Sequence, residues 1–203
     1  FKGKFDENAS RDGFLKFRGG FCKLTTANSP SKLASLSIPY IIMDEVDKYP
    51  RWAGREANPI KLARERSKNW PGMMKLVLIS TPTIKEGNIT KAYNEADVRY
   101  KYYVPCPHCG HMQPLTWDGV KFDSKEHATV VEYQTHYECC ECHGIIKDHH
   151  KPEMLRRGKW VAQNECKGKP KRIAYSINSI YSPWVTFGQV AAEFQRSKDD
   201  PAD

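Results

Sequence analysis

Apolar and polar residues alternate along Phe14-Leu15-Lys16-Phe17 and again along Phe21-Cys22-Lys23-Leu24-Thr25, with Arg18-Gly19-Gly20 between them able to turn the chain through positive φ. The pattern predicts a hairpin. Ser29-Pro30 then reads as the N-cap and first residue of a short helix. Tyr40-Ile41-Ile42-Met43 is apolar at every position and runs straight into Asp44-Glu45, which suits a parallel strand covered on both faces. Asn58-Pro59 opens a helix to about Asn69, whose outer face carries Lys61, Arg64, Arg66 and Lys68. Lys75-Leu76-Val77-Leu78-Ile79 reads as a second buried strand, ending at Ser80-Thr81-Pro82-Thr83, and helix-forming residues follow from Asn88 to about Asp97. Strand, helix, strand with polar residues at both strand tips predicts an α/β sheet, whose chemistry lies at the carboxyl ends of its strands.

The pattern changes at Val104-Pro105. Residues 106–144 hold five Cys, five His and two short β-like runs, Leu115-Thr116-Trp117 and Val130 to Tyr137, with few residues for an apolar core of their own. A module this small needs a staple. Arg172 to Tyr181 reads as a further strand, and Phe187, Val190, Ala191 and Phe194 fall at i, i+3, i+4, i+7 on one face of a last helix. No internal repeat is visible. The longest apolar run, Ile38 to Met43, is far short of the roughly 20 residues of a membrane span, and no basic-then-apolar leader opens the chain. Phe1-Lys2-Gly3 reads as the middle of a longer protein.

Composition narrows the class. At 203 residues, 39% hydrophobic, 28% charged, with 13 Gly and 13 Pro, the chain is neither collagen-like nor wholly disordered, and has room for one domain or one domain plus a small module. Lys plus Arg, 32, less Asp plus Glu, 24, gives +8, which favours a polyanionic partner, nucleic acid before membrane; a solvated basic surface is the plain alternative. Lys61 to Lys68 and the 167–172 segment (Lys167, Lys169, Lys171, Arg172) are the densest basic patches. Seven cysteines, an odd number with four in two close pairs, point to reduced thiols and metal, and so to a cytosol-like compartment.

Those pairs are the sharpest chemical signal. Cys106-Pro-His-Cys109-Gly and Cys139-Cys-Glu-Cys142-His-Gly each place two thiolates in one tight turn, and two such knuckles brought together by a hairpin form a closed tetrahedral site for a structural zinc. The 29 residues between Cys109 and Cys139 exceed the common ~15–20 and call for a longer hairpin arm. Cys140 in place of Cys142, His108 or His111 in place of a cysteine, and four free buried thiols are the alternatives.

Ile41-Ile42-Met43-Asp44-Glu45 has the Walker B form: the Asp holds the water shell of Mg²⁺ and the Glu polarises the water that attacks a γ-phosphate. Many strands end in acids at a solvated rim, so the motif alone is weak; Asp47 beside it has a plain role in capping the next turn. The hydroxyls of Ser80, Thr81 and Thr83 at the second strand tip suit a γ-phosphate sensor and coupling motif, or else simple helix capping. No G-x-x-x-x-G-K-[ST] occurs in the sequence: the Gly-Lys pairs at Gly3, Gly158 and Gly168 continue into Phe, Trp and Pro. The expected position of that phosphate loop is before Phe1, so this stretch should not turn over ATP by itself.

In order along the chain come Gly19-Gly20, Asn28 to Ser35 (NSPSKLAS), Asp44-Glu45-Val46-Asp47-Lys48-Tyr49-Pro50, Ser80 to Thr83, Val104-Pro105-Cys106-Pro107-His108-Cys109-Gly110, Met154-Leu155-x-x-Gly158-x-Trp160 and Tyr181-Ser182-Pro183-Trp184. This series resembles the large terminase subunits of tailed phages, GpA type. The resemblance implies an ATP-driven motor that packages viral DNA into proheads in the host cytoplasm, with partners in double-stranded DNA, a small terminase subunit and the portal. It implies an α/β fold: the C-terminal part of a P-loop ATPase sheet over 1–103, a zinc-ribbon-like insertion over 104–145, and a return to the core over 146–203 toward a nuclease domain further on. Asp44 would hold Mg-ATP, Glu45 would be the catalytic carboxylate, Ser80, Thr81 and Thr83 would couple, and Cys106, Cys109, Cys139 and Cys142 would bind zinc. Arg51 and Arg55 are candidate arginine fingers, and Asp199-Asp200 are plain acids after a helix. A superfamily 2 helicase-like ATPase shares Asp-Glu-x-Asp and a Ser/Thr motif, and a non-catalytic zinc-ribbon DNA-binding module is the rival from another class.

Overall fold

The computed structural model describes residues 13–29, 36–50 and 58–198. The expected helix at Ser29-Pro30, the arginines Arg51 and Arg55, and Asp199-Asp200 fall wholly or partly outside the described residues. The chain is mixed α/β and divides into two compact units, Phe1–Ala92 and Tyr93–Asp203.

In the first unit the predicted hairpin forms: β1 (Phe14–Phe17) pairs antiparallel with β2 (Gly20–Lys23), and Phe14 stacks on Phe21 at 5.2 Å. β3 (Tyr40–Met43) is followed by α1 (Pro59–Ser67) and β4 (Lys75–Leu78). Asn58 caps α1 as its sequence predicts, its side-chain oxygen accepting from the Ile60 N–H at 2.9 Å. β3 and β4 pair in parallel, Tyr40 opposite Lys75 and Met43 opposite Leu78. Pleating sends Ile41, Met43, Leu76 and Leu78 to one side, into a small core with Val46, Ala63 and Ile60. The other face differs from the expectation of two covered faces: Tyr40, Ile42 and Val77 stay exposed, Ile42 at 73%, because no described element lies over them. α2 (Asn88–Asn94) is shorter than the sequence suggested.

In the second unit β5 (Val98–Pro105) is the centre of a four-stranded sheet. β6 (Met112–Pro114) pairs antiparallel with the end of β5, and β7 (Val120–Lys121) belongs to a separate three-stranded sheet. The β-like run from Val130 folds instead as α3 (Ala128–Gln134), then β8 (His136–Glu138) and β9 (Ile145–Ile146) complete the three-stranded sheet. The helix wins because the His127 side chain caps it, accepting from the Thr129 N–H, and because Ala128 and Val131 bury as one face. Leu115-Thr116-Trp117 is likewise not a strand; Trp117 opens a 3₁₀ turn. α4 (Lys151–Arg156) precedes β10 (Lys159–Ala162), antiparallel to β5, and β11 (Ile173–Ser176), parallel to it. The last helix, α5 (Phe187–Ser197), is held at its start by a reciprocal capping box between Thr186 and Gln189. Phe187 and Ala191 are fully buried and Val190 packs on the core, whereas Phe194 rests half-exposed on Trp117 at 4.6 Å.

One core joins these parts. Val104, Cys106, Leu115, Tyr137, Cys139 and Ile146 pack with Met154, Ile180, Tyr181 and Phe187, so the cysteine-bearing segment shares its interior with the residues that follow it. Tyr181 pins the join: its hydroxyl accepts from the Leu115 N–H at 2.7 Å and donates to the Tyr102 carbonyl at 2.5 Å. Burial pushes that phenol up to about 12. Lys151, 2% exposed, donates to the Val185 carbonyl at 2.6 Å, pairs with Asp148 at 3.3 Å and lies over the Phe187 ring. Burial lowers its pKa and Asp148 opposes the shift.

Candidate metal centre and acidic strand tip

The two knuckles fold alike. In the first, Gly110 N–H returns to the Cys106 carbonyl at 3.0 Å, Cys106 N–H donates to His111 O at 2.8 Å, and His108 N–H points at Cys106 Sγ at 3.4 Å. In the second, His143 N–H returns to the Cys139 carbonyl at 3.1 Å, Cys139 N–H donates to Gly144 O at 3.1 Å, and Glu141 N–H points at Cys139 Sγ at 3.5 Å. The residue after each second cysteine takes the left-handed conformation, Gly110 at φ 76° and His143 at φ 55°. Glu138 accepts from the His143 ring at 2.7 Å, and that hydrogen bond holds the carboxyl below its ordinary range.

Cys106, Cys109, Cys139 and Cys142 converge, all four sulfurs lying within 4.8 Å of one another. The Cys106–Cys142 and Cys109–Cys139 pairs are 3.8 Å apart. A metal–sulfur distance of about 2.3 Å in a tetrahedron has edges of about 3.8 Å, so the donor set fits a tetrahedral, thiolate-binding ion. Burial pushes the Cys106 thiol up; Cys139 is buried too, but N–H groups of Cys142 and Glu141 and the neighbouring thiols outweigh burial and hold it low. Of the alternatives, Cys140 is exposed and outside the cluster, its N–H bonded to Gln113 Oε1 at 2.9 Å, and the His108 ring is bonded to the Ile145 carbonyl at 2.7 Å.

The parallel register of β3 and β4 brings the second set of predicted residues side by side. Ile79 N–H donates to Met43 O at 2.9 Å and Val46 N–H to Ile79 O at 3.2 Å, extending the ladder past both strands. Asp44 is exposed and accepts from the Glu45 N–H at 3.1 Å; its charge, after burial, raises the Tyr49 phenol. Glu45 is half-buried at φ 53°, a left-handed conformation costing a non-glycine residue about 1–2 kcal/mol, and its carboxylate pairs with Lys48 at 3.4 Å. Ser80 Oγ accepts from the Asp47 N–H at 3.2 Å, and Thr83 reaches the Asp47 carboxylate through both its N–H (3.1 Å) and its hydroxyl (3.4 Å). Thr81 is exposed, its carbonyl accepting from Ser80 Oγ at 3.1 Å.

Asp47 is the residue that sequence reasoning undervalued. It caps no turn of its own; it caps the start of α2, accepting from Ile89 N–H at 2.7 Å, while holding Thr83. Asn88 adds a second tie, donating to Val46 O at 2.8 Å. No local spacing signals these contacts.

The chain thus combines a cysteine module with an acid-tipped strand lying parallel to a hydroxyl-tipped one. The class comes from the family comparison: residues 3–160 match the phage terminase large subunit gpA, ATPase domain, and the chain belongs to that family. It is similar to the large terminase subunit of Enterobacteria phage P21, 28% identical over 191 residues, covering 81% of this chain and 28% of that protein. It is also similar to the large terminase subunit of Escherichia phage lambda, 23% identical over 221 residues, covering 96% of this chain and 32% of that protein. The chain thus spans about a third of the length of these relatives. No solved structure matches it. Among the described residues no helix is long and apolar enough to cross a membrane.

Proposed function

We propose that this chain is the Walker B and coupling portion of an ATP-driven motor that packages viral double-stranded DNA in the host cytoplasm, stapled by one structural zinc. Family membership supports the class, and the observation that carries the reading is the parallel register that sets Asp44 and Glu45 beside Ser80–Thr83. In this role Asp44 holds the hydrated Mg²⁺ of ATP, Glu45 orients the attacking water, and Ser80, Thr81 and Thr83 respond to the γ-phosphate. The outward Tyr40, Ile42 and Val77 support β3 and β4 belonging to a wider, two-sided P-loop sheet in the full-length protein. The segment 104–145 is then a zinc-ribbon-like insertion between 1–103 and 146–203, its four cysteines holding zinc. Its tetrahedral thiolate set leaves no position for substrate, so the metal's work is folding.

DNA, the small terminase subunit and the portal are the proposed partners. Exposed Lys61, Arg64, Lys167, Lys169 and Lys171 suit phosphate contacts without base reading. The helicase-like reading keeps the acids and hydroxyls but gives the cysteine module no place. In the full-length protein Glu45→Gln is expected to cut ATP hydrolysis by roughly 100-fold or more while leaving nucleotide affinity within about threefold, because the Mg²⁺ ligand remains. Unchanged hydrolysis would remove Glu45 from its role.

A further inference from the structure

Asp47 makes four hydrogen bonds to three places far away in sequence. Its N–H donates to Ser80 Oγ; one carboxylate oxygen accepts from Thr83 N–H and Oγ1; the other accepts from Ile89 N–H at the start of α2. Gly87 closes the cradle: a Cβ there would sit 2.3 Å from Asp47 Oδ2, so only glycine lets the chain pass this close to the carboxylate. On the other side of the same turn, Glu45 is held in its left-handed conformation between the Asp44 side chain, which accepts its N–H, and Val46, which is bonded to Ile79. The acidic turn and the hydroxyl-bearing loop are therefore not two neighbouring loops free to shift separately. They meet through one carboxylate.

We propose that Asp47 is the positioning residue that makes the Glu45 turn, the Ser80–Thr83 loop and the start of α2 move as one body, so that any displacement of the hydroxyl loop is delivered to Glu45. This rests on the ATPase reading above. It assigns Asp47 no contact with nucleotide: it acts through Thr83 and Ser80 on one side and through the short turn to Glu45 on the other. The two carboxylate oxygens serve different ends of the connection, and that makes the idea separable by one atom. Asp47→Asn keeps an oxygen able to cap Ile89 N–H but offers Thr83 N–H an amide NH₂, which cannot accept.

Two measurements test it. In the 203-residue chain, Asp47→Asn should raise amide exchange at Thr83 at least about tenfold while leaving exchange at Ile89 and the unfolding midpoint close to wild type. In the full-length protein the same variant should lower kcat roughly 10- to 100-fold with KM unchanged, since a misplaced carboxylate slows chemistry without weakening binding. Gly87→Ala, which crowds the same carboxylate without changing its charge, should reproduce the kcat effect if Asp47→Asn proves unstable. Unchanged exchange at Thr83 would overturn the connection itself. Freed exchange at Thr83 with unaltered kcat would overturn its role, as would a rise in KM equal to the fall in kcat. If Glu45→Gln leaves hydrolysis intact, the ATPase reading fails, and the exchange result still reports on the connection.

Discussion

The cysteine knuckles and the acidic strand tip are both assembled from two distant segments, yet they are assembled in opposite ways. At the knuckles four like donors point inward to one spot, with sulfurs 3.8 Å apart and a donor set that accommodates a tetrahedral ion. At the strand tip Asp44 and Thr81 are exposed, Glu45 pairs with Lys48, and Asp47 turns inward to bind Thr83 and the start of α2. The first draws all four of its donors from the described residues. The second, on the proposed reading, is one wall of a nucleotide site, tied together through the Asp47 carboxylate. A closed metal site gains its stability from the ion, whereas an open tip relies on hydrogen bonds within the protein.

If the cysteine cluster is the staple of the second unit, breaking it should have the largest effect of any change considered. Cys106→Ser leaves three thiolates and removes a zinc contribution comparable to the whole stability of a domain, about 5–15 kcal/mol. Limited proteolysis should then cut within 104–146 at enzyme concentrations that spare wild type, while β3 and β4 keep their exchange protection. Equal resistance of mutant and wild type would dissolve the contrast between the two regions.

A smaller effect sharpens the same contrast from the protein side. Tyr181→Phe leaves the Leu115 N–H and the Tyr102 carbonyl without their buried partner, at a cost of about 1–3 kcal/mol. Urea unfolding followed at the second unit should show a lower midpoint, with the metal still bound. An unchanged midpoint would mean that this join carries no load.

The smallest expected effect is an acid sensitivity. Asp97 accepts from the Arg172 and Lys171 N–H groups at 2.9 and 2.8 Å, which lowers its pKa from 3.8. A depressed carboxylate contributes stability above its unfolded value, and that contribution is lost as pH falls through the lower folded value. Asp97→Asn should therefore flatten the pH dependence of second-unit stability between about pH 5 and 2. Superimposable acid-unfolding curves for the two proteins would contradict this.

What could be read in the sequence follows how local the signal is. Two cysteines separated by two residues fix a turn and its direction, so the four cysteines that converge could be named before any fold was known. Asn58 is equally local and caps its helix as expected. β5 escaped notice although Val98-Arg-Tyr-Lys-Tyr alternates, because helix-forming residues run up to it and the composition shift falls at its far end. Val130-Val131 looked like strand, but the cap at His127 and a buried face override β-branching. Asp47 could not be read at all: its partners lie 33, 36 and 42 residues away, and only the parallel register of β3 and β4 brings them within reach. The same register brings the Asp44-Glu45 tip to the Ser80–Thr83 tip, so the two motifs were legible in the sequence and their juxtaposition was not.

The most direct test of the central claim, that one of these two sites is closed and complete in this chain, is elemental analysis of the purified 203-residue protein alongside its Cys139→Ser variant. One zinc per chain in the wild type and none retained by the variant after dialysis is the expected result. Wild type without zinc, or a variant that holds it as tightly, would contradict the account.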